Sequence, residues 1–226
     1  MKHAVLLFVL LPLILAACTG SLFKNKARPP TMYLLSATPR VPIADPIGAA
    51  AAAPFDLAVL KPRVRAGLDT DRIAALYPDR RMDYFADVRW TGALDEVLQD
   101  LAVQEIRSNL GLHNVSPDLS VFASTYWLEI EVLDFQAEYS AASAAPTVHV
   151  HFLARVGNAG DRHVLARFEP DIHEAAADNR MSAIVDAYNR AANEALADIA
   201  AGAAHALVHG LDRVPDDNRA RVIIDR

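Results

Sequence analysis

Apolar residues recur along the chain with two periods, and the changes of period mark out the elements. Over residues 126–139, Tyr126, Leu128, Ile130 and Val132 share one face while Glu129 and Glu131 occupy the other, the pattern of a half-buried strand. Leu133 and Phe135 then take over as the apolar positions, and this slip of phase predicts a bulge or twist at 132–134. Residues 147–156 alternate again, with Val148, Val150 and Phe152 inward and His149 and His151 outward. Residues 163–169 place Val164, Ala166 and Phe168 inward. Joined by a small-residue loop at 140–146 and a turn at 158–161, these segments form an antiparallel meander. Upstream, 32–35 and 55–60 read as short strands, and residues 38–54, with four prolines, read as a loop. Residues 68–90 admit two readings, a helix capped by Asp69 through Ile73 and Leu76 or a hairpin of 72–77 and 82–88 about Pro78-Asp79-Arg80; the hairpin is preferred, because Pro-Asp is turn chemistry and Tyr84 and Phe85 suit strands.

Helical spacing replaces alternation twice. Leu94, Val97, Leu98 and Leu101 make one stripe of a helix over 94–110, stopped by Gly111. Glu105 falls near the centre of that stripe. It is either paired inside or turned to a partner or solvent, and solvent is the expectation because an unpaired buried carboxylate is costly. A second helix over 180–209 starts at a cap from Asp178 or Asn179 and ends at Gly210. Its stripe is Met181, Ile184, Val185, Tyr188, Ala192, Ala195, Leu196, Ile199 and Ala203. The expected fold class is α+β: a single antiparallel sheet with two main helices packed on one face. The domain is expected to span 32–210, with a charged tail at 211–226.

The first residues change the picture. Lys2 precedes an apolar run from Ala4 to Ala17, too short for an ordinary membrane span but of the length and small-residue ending of a secretory signal. The run closes on Leu15-Ala16-Ala17-Cys18, which resembles a bacterial lipobox. Residues 1–17 are then a cleaved leader, and Cys18 carries lipid through its sulfur. Cys18 is the only cysteine of the 226-residue chain, so no internal disulfide can form. Each buried methylene of an acyl chain adds about 0.8 kcal/mol to membrane binding, so two or three chains hold firmly. Residues 18–31, with Lys24, Lys26, Arg28 and Pro29-Pro30, read as a tether. Thr19, where an Asp retains many lipoproteins at the inner membrane, points to the outer membrane. The formal charge of −6 gives no electrostatic case for nucleic acid.

Signals for catalysis are few. No Gly-x-Ser-x-Gly elbow and no phosphate-binding loop occur. His173-Glu174 begins like a zinc-protease motif, but Ala177 stands where the second histidine is needed. His149 and His151 point the same way from one strand, and His163 on the neighbouring strand is a candidate third metal ligand; a solvated polar face is the simpler reading, and neither metal nor cofactor is expected. Trp90 either packs the helix start on the sheet or meets a partner, and Tyr33 is a further candidate partner-binding side chain. Tyr126 and Trp127 face opposite sides, so one is core and the other surface or interface.

The ordered set of segments carries a resemblance. Tyr33-x-Leu35 follows the lipobox. Then come Asp56-Leu57-Ala58-Val59-Leu60-Lys61-Pro62, Leu68-Asp69, Arg72-Ile73, Tyr84, Arg89-Trp90 leading into Leu98 and Leu101, and Tyr126-x-Leu128 through Phe135. The chain resembles the ABC-type transport auxiliary lipoproteins, the family that includes the PqiC lipoprotein. One departure is Trp90-Thr91-Gly92-Ala93, where relatives often have a proline. The resemblance implies a non-enzymatic periplasmic subunit, lipid-anchored at the outer membrane. Its partners would be an MCE-domain protein and an ABC permease/ATPase complex moving lipids or other hydrophobic molecules, with ring-like self-association as a further option. A structural lipoprotein of outer-membrane assembly and a histidine-based metalloenzyme are the competing readings.

Overall fold

The computed structural model describes residues 29–38, 56–110, 114–117 and 124–211; side chains are described to 108 in the first helix and to 207 in the second. The leader, Cys18, the tether to 28, the proline-rich loop beyond 38, Gly111 and the tail from 212 lie outside the described residues. The elements run β1 (Thr31–Tyr33), β2 (Asp56–Val59), β3 (Arg63–Val64), β4 (Arg72–Leu76), β5 (Met82–Trp90), α1 (Leu94–Leu110), β6 (Asn114–Ser116), β7 (Tyr126–Glu138), β8 (Thr147–Asn158), β9 (Val164–Phe168), β10 (Asp171–Ala175) and α2 (Met181–Leu211). Among the described residues no helix is long and apolar enough to cross a membrane.

The long antiparallel pair β7–β8 organises the sheet. One edge of β7 is covered in turn by β2, β3 and β4, all parallel to it. The far edge of β8 is covered by β9 and β10, both antiparallel. β5 pairs antiparallel with β4, β1 runs parallel to β5, and β6 runs parallel to β2. The fold is α+β with two helices, as expected, but the sheet is mixed rather than purely antiparallel. The parallel pairs come from segments of two to five residues, and β3, β6 and β10 went unrecognised in the sequence because such runs are too short to show a period. Gly210 does not end α2, which continues to Leu211. The meander of β7, β8 and β9 is present as read.

The predicted slip of phase is a bulge. Val132 pairs with Phe152 and Asp134 with His151, leaving Leu133 as the extra residue. Leu133 is therefore not a core position. It is half-buried on the outer face, while Phe135 and Ala137 resume the inward phase of Val132. The amide of Phe135 donates to the side-chain carbonyl of Gln136 at 2.9 Å, a side-chain answer to an amide that the interrupted ladder leaves over.

The helices cover the inner face. Val148, Val150, Phe152, Ala154 and Val156 of β8 are fully or almost fully buried, as are Tyr188, Ala192, Ala195, Leu196 and Ile199 of α2. At the centre Trp90 packs edge-on to Phe135 and Tyr188, with ring centroids 6.0 and 5.3 Å away. Phe135 also stacks on Phe152 at 6.3 Å. The Tyr188 hydroxyl donates to the Ala74 carbonyl at 2.9 Å, so a polar atom taken out of water keeps a partner. Small residues let the layers close: a Cβ on Gly202 of α2 would fall 2.3 Å from the Phe168 ring.

Deleting Leu133 removes the bulge and returns β7 to strict alternation with Phe135 and Ala137 still facing inward, because Leu133 is the residue left over in the pairing with β8. That variant is expected to fold, read as a retained cooperative thermal transition in circular dichroism, because the buried face of β7 is unchanged. Leu133→Ala keeps the residue count and is expected to fold, with a cost below about 1.5 kcal/mol by urea denaturation because the side chain is half-exposed.

Candidate functional site

Two regions hold the chemistry-bearing side chains. The first is where the chain leaves β1. Leu35 is buried, and residues 36–38 are held by side chains of both helices. Ser36 N donates to Asn189 Oδ1 at 2.8 Å, and Asn193 Nδ2 donates to Ser36 O at 3.0 Å. Thr38 N donates to Asn193 Oδ1 at 2.8 Å and to Glu105 Oε1 at 2.9 Å. Glu105 is thus fully buried, not solvent-facing as its sequence position suggested. A backbone donor 67 positions away meets its carboxyl oxygen, so the buried group has a hydrogen-bond partner. Beside this strap, Met32 and Leu34 are among the few large apolar side chains left exposed, at 49% and 65%. They flank Tyr33, which is half-buried against the core.

The second region is the outer face of β7–β8, a ladder of charges. Arg155 Nη2 meets Glu129 at 3.1 Å, and Arg63 Nη2 meets both Glu129 and Glu131 at 3.2 Å. A groove of about 590 Å³ follows, lined by Arg63, Val64, Arg65, Glu131, Leu133, Asp134 and His151. Next come the histidines. His149 Nδ1 lies 2.9 Å from Glu138 Oε1 and its Nε2 lies 2.8 Å from Asp171 Oδ1. His151 lies 3.4 Å from Asp134 and 3.2 Å from Glu169.

His149 and His151 point outward together, with ring centroids 6.1 Å apart. His163 does not join them. It is exposed in the β8–β9 turn, where its amide donates to Asp161 at 2.9 Å. The third histidine is His173, whose ring stacks on His149 at 4.1 Å. It sits on β10, a strand that Pro170 separates from β9; the cue in the sequence was the alternation Asp171-x-His173 just after that proline. Trp90 is 1% exposed, so of its two readings packing is the one realised, and it offers no partner surface. Tyr126 is the core member of its pair. Trp127 is half-buried on the other side, with Nε1 donating to Asn158 O at 3.1 Å. Its ring fills the space over Gly157, where a Cβ would fall 2.3 Å away.

Burial works against the charged form of His149, but hydrogen bonds to Glu138 and Asp171 and the charges of Glu138 and Asp134 outweigh it, so its pKa is raised. Asp171 is lowered: desolvation works against the charged form, but its bond to His149 and the charges of His149, His151 and His173 together outweigh it. The native state therefore holds the His149 proton more tightly than the unfolded chain does. Its stabilising contribution is complete below about pH 6.5 and is lost as pH rises through the higher native value. The stability gap between wild type and His149→Gln, in urea with a chelator present, is expected to shrink from about pH 5.5 to about pH 9. A gap that widens would refute the assignment. Asn193→Ala removes two partners of the strap, and is expected to cost about 1–3 kcal/mol and to speed amide exchange at Ser36 and Thr38.

A family model for the ABC-type transport auxiliary lipoprotein component matches residues 33–200. Among solved structures the chain is similar to protein XCC0632 from Xanthomonas campestris, with a TM-score of 0.65 and 19% identity over 80% of this chain and 98% of that one. It is also similar to an uncharacterized protein, with a TM-score of 0.58 and 16% identity over 76% of this chain and 97% of that one. At these identities the likeness is one of fold. No curated protein matches in sequence. The family match runs from the last residue of β1 well into α2, and the chain belongs to the ABC-type transport auxiliary lipoprotein family.

Proposed function

We propose that the chain is exported, lipidated on Cys18 and held at the periplasmic face of the outer membrane, where it docks an MCE-type ABC transport system that moves lipids or other hydrophobic molecules across the envelope. The observation that carries this reading is the family match over residues 33–200. Family membership makes it an accessory lipoprotein of the envelope; the named partners and the lipid cargo are the proposal.

The chain's own physics supports docking as the mode of work. Thr31 follows Cys18 by thirteen positions, and thirteen residues reach at most about 45 Å when extended. A lipidated Cys18 would keep β1 within that distance of the bilayer. β1 has one strand neighbour, β5, so its other edge is free of sheet partners among the described residues. An open edge with exposed Met32 and Leu34 beside it suits strand addition by an MCE-domain partner. The charged outer face suits a polar partner surface better than an acyl chain, whose contact with unpaired charge is costly.

Affinity capture from detergent-solubilised native envelopes is expected to recover an MCE-domain protein with its permease and ATPase. Recovery of outer-membrane assembly components instead would favour a structural role. Cys18→Ser is expected to leave the detergent phase in Triton X-114 partitioning, and Met32→Lys with Leu34→Lys is expected to reduce capture without changing the thermal transition.

A further inference from the structure

The outer face holds a histidine pair to which the docking proposal assigns no role of its own. His149 and His173 are direct cross-strand partners on β8 and β10, with rings 4.1 Å apart and 18° from parallel. Their Nε2 atoms both approach Asp171 Oδ1, at 2.8 Å from His149 and 3.4 Å from His173. Asp171 Oδ1 thus stands within 3.4 Å of one ring nitrogen of each histidine, close enough for the three side chains to share an ion with bonds of about 2.0–2.2 Å. Behind His149, Nδ1 faces Glu138 Oε1 at 2.9 Å. A metal-ligating histidine has its second ring nitrogen held by a carboxylate in this manner, fixing tautomer and ring orientation. Glu138, His149 and His173 bring ligand atoms within 4.8 Å of one another, and Asp134, His149 and His151 form an adjoining set that shares His149.

We propose that His149, His173 and Asp171, with Glu138 orienting His149, bind one divalent transition-metal ion of the zinc class. The donor set decides the class. Two imidazoles with a carboxylate suit zinc, cobalt, nickel or copper, whereas magnesium and calcium take shells of oxygen. The geometry decides the place. His149 is held between strands with its side chain 14% exposed, while those of His173 and Asp171 are 53% and 50% exposed, so the site is anchored on the sheet and open to solvent at β10. Binding displaces the proton on His149 Nε2 and leaves the one shared with Glu138. Three protein donors leave a fourth position for water.

The test uses tag-free, detergent-purified full-length chain stripped with a chelator and titrated with Zn2+ alone by calorimetry, with Co2+ absorption as the geometric readout. One ion per chain is expected, with visible Co2+ bands of tetrahedral strength. His173→Gln lies on an exposed strand and is expected to fold, as judged by circular dichroism, and to weaken binding at least about tenfold; Glu138→Gln is expected to weaken it about 10–100-fold. His163→Gln, outside the cluster, is expected to bind as wild type. Absence of saturable binding overturns the proposal. So does wild-type affinity in His173→Gln, which would place the ion elsewhere. Either result leaves the docking role standing, because capture of the transporter is read separately.

Discussion

One extra residue sets the geometry of the sheet. Side chains of a strand alternate with a period of two, so a strand of thirteen residues would keep one parity inward throughout. Here the inward set is Tyr126, Leu128, Ile130 and Val132 before the bulge and Phe135 and Ala137 after it, which is possible only because Leu133 is inserted between paired positions. The insertion delivers Phe135 to Trp90, Phe152 and Tyr188. It also delivers Asp134 and Glu138 to the outer face, next to His151 and His149. Core and outer ladder are therefore two consequences of the same irregularity. The Gln136 side chain, 2% exposed, completes it by serving the Phe135 amide while donating to Asp134 and Glu138.

This irregularity was legible in the sequence because it interrupts a long alternating run. Leu133 was assigned to the apolar set along with Phe135, since alternation alone does not say which residue of a bulge is the extra one. The meander and both helices were legible from local periods over many residues, and the hairpin about Pro78-Asp79 from its turn residues rather than from a period. What escaped is non-local. β3 is two residues long, and its place is set by pairing with β7 some 68 positions on. Glu105 looked like a surface charge because its donor, the Thr38 amide, is recruited from a segment that carries no periodic signal. His163 was named because it opens the strand expected beside 147–156, and no strand was expected at 171–175, so His173 was left out; Pro170 divides the edge opposite β8 into β9 and β10.

The strap and the edge strand are best understood together. Residues 36–38 are fixed by Asn189, Asn193 and Glu105, so the chain after β1 is tied to both helices. β1 itself pairs only with β5. A partner strand adding to β1 would meet a short element held by a buried polar network on its C-terminal side rather than a fraying end. Ordering cost is part of any association free energy, and a strand already held loses less on binding. On the docking proposal the buried Asn193 and Glu105 have a physical reason: they hold the chain beside the edge in the conformation that pairing would need.

The charge ladder bears on what kind of accessory this is. Carrying an acyl chain calls for an apolar cleft, because hydrocarbon lining gains about 25 cal/mol per Å² buried and charged lining gains little. The groove on the outer face is lined by Arg63, Arg65, Glu131, Asp134 and His151, with Val64 and Leu133 as its apolar members. The inner face, which is apolar, is occupied by α2 down to Gly202 against Phe168. Both faces of the β7–β8 region are thus committed, one to packing and one to charge. The chemistry that remains among the described residues, an open edge and a polar face, fits the proposed docking role better than the holding of an apolar cargo.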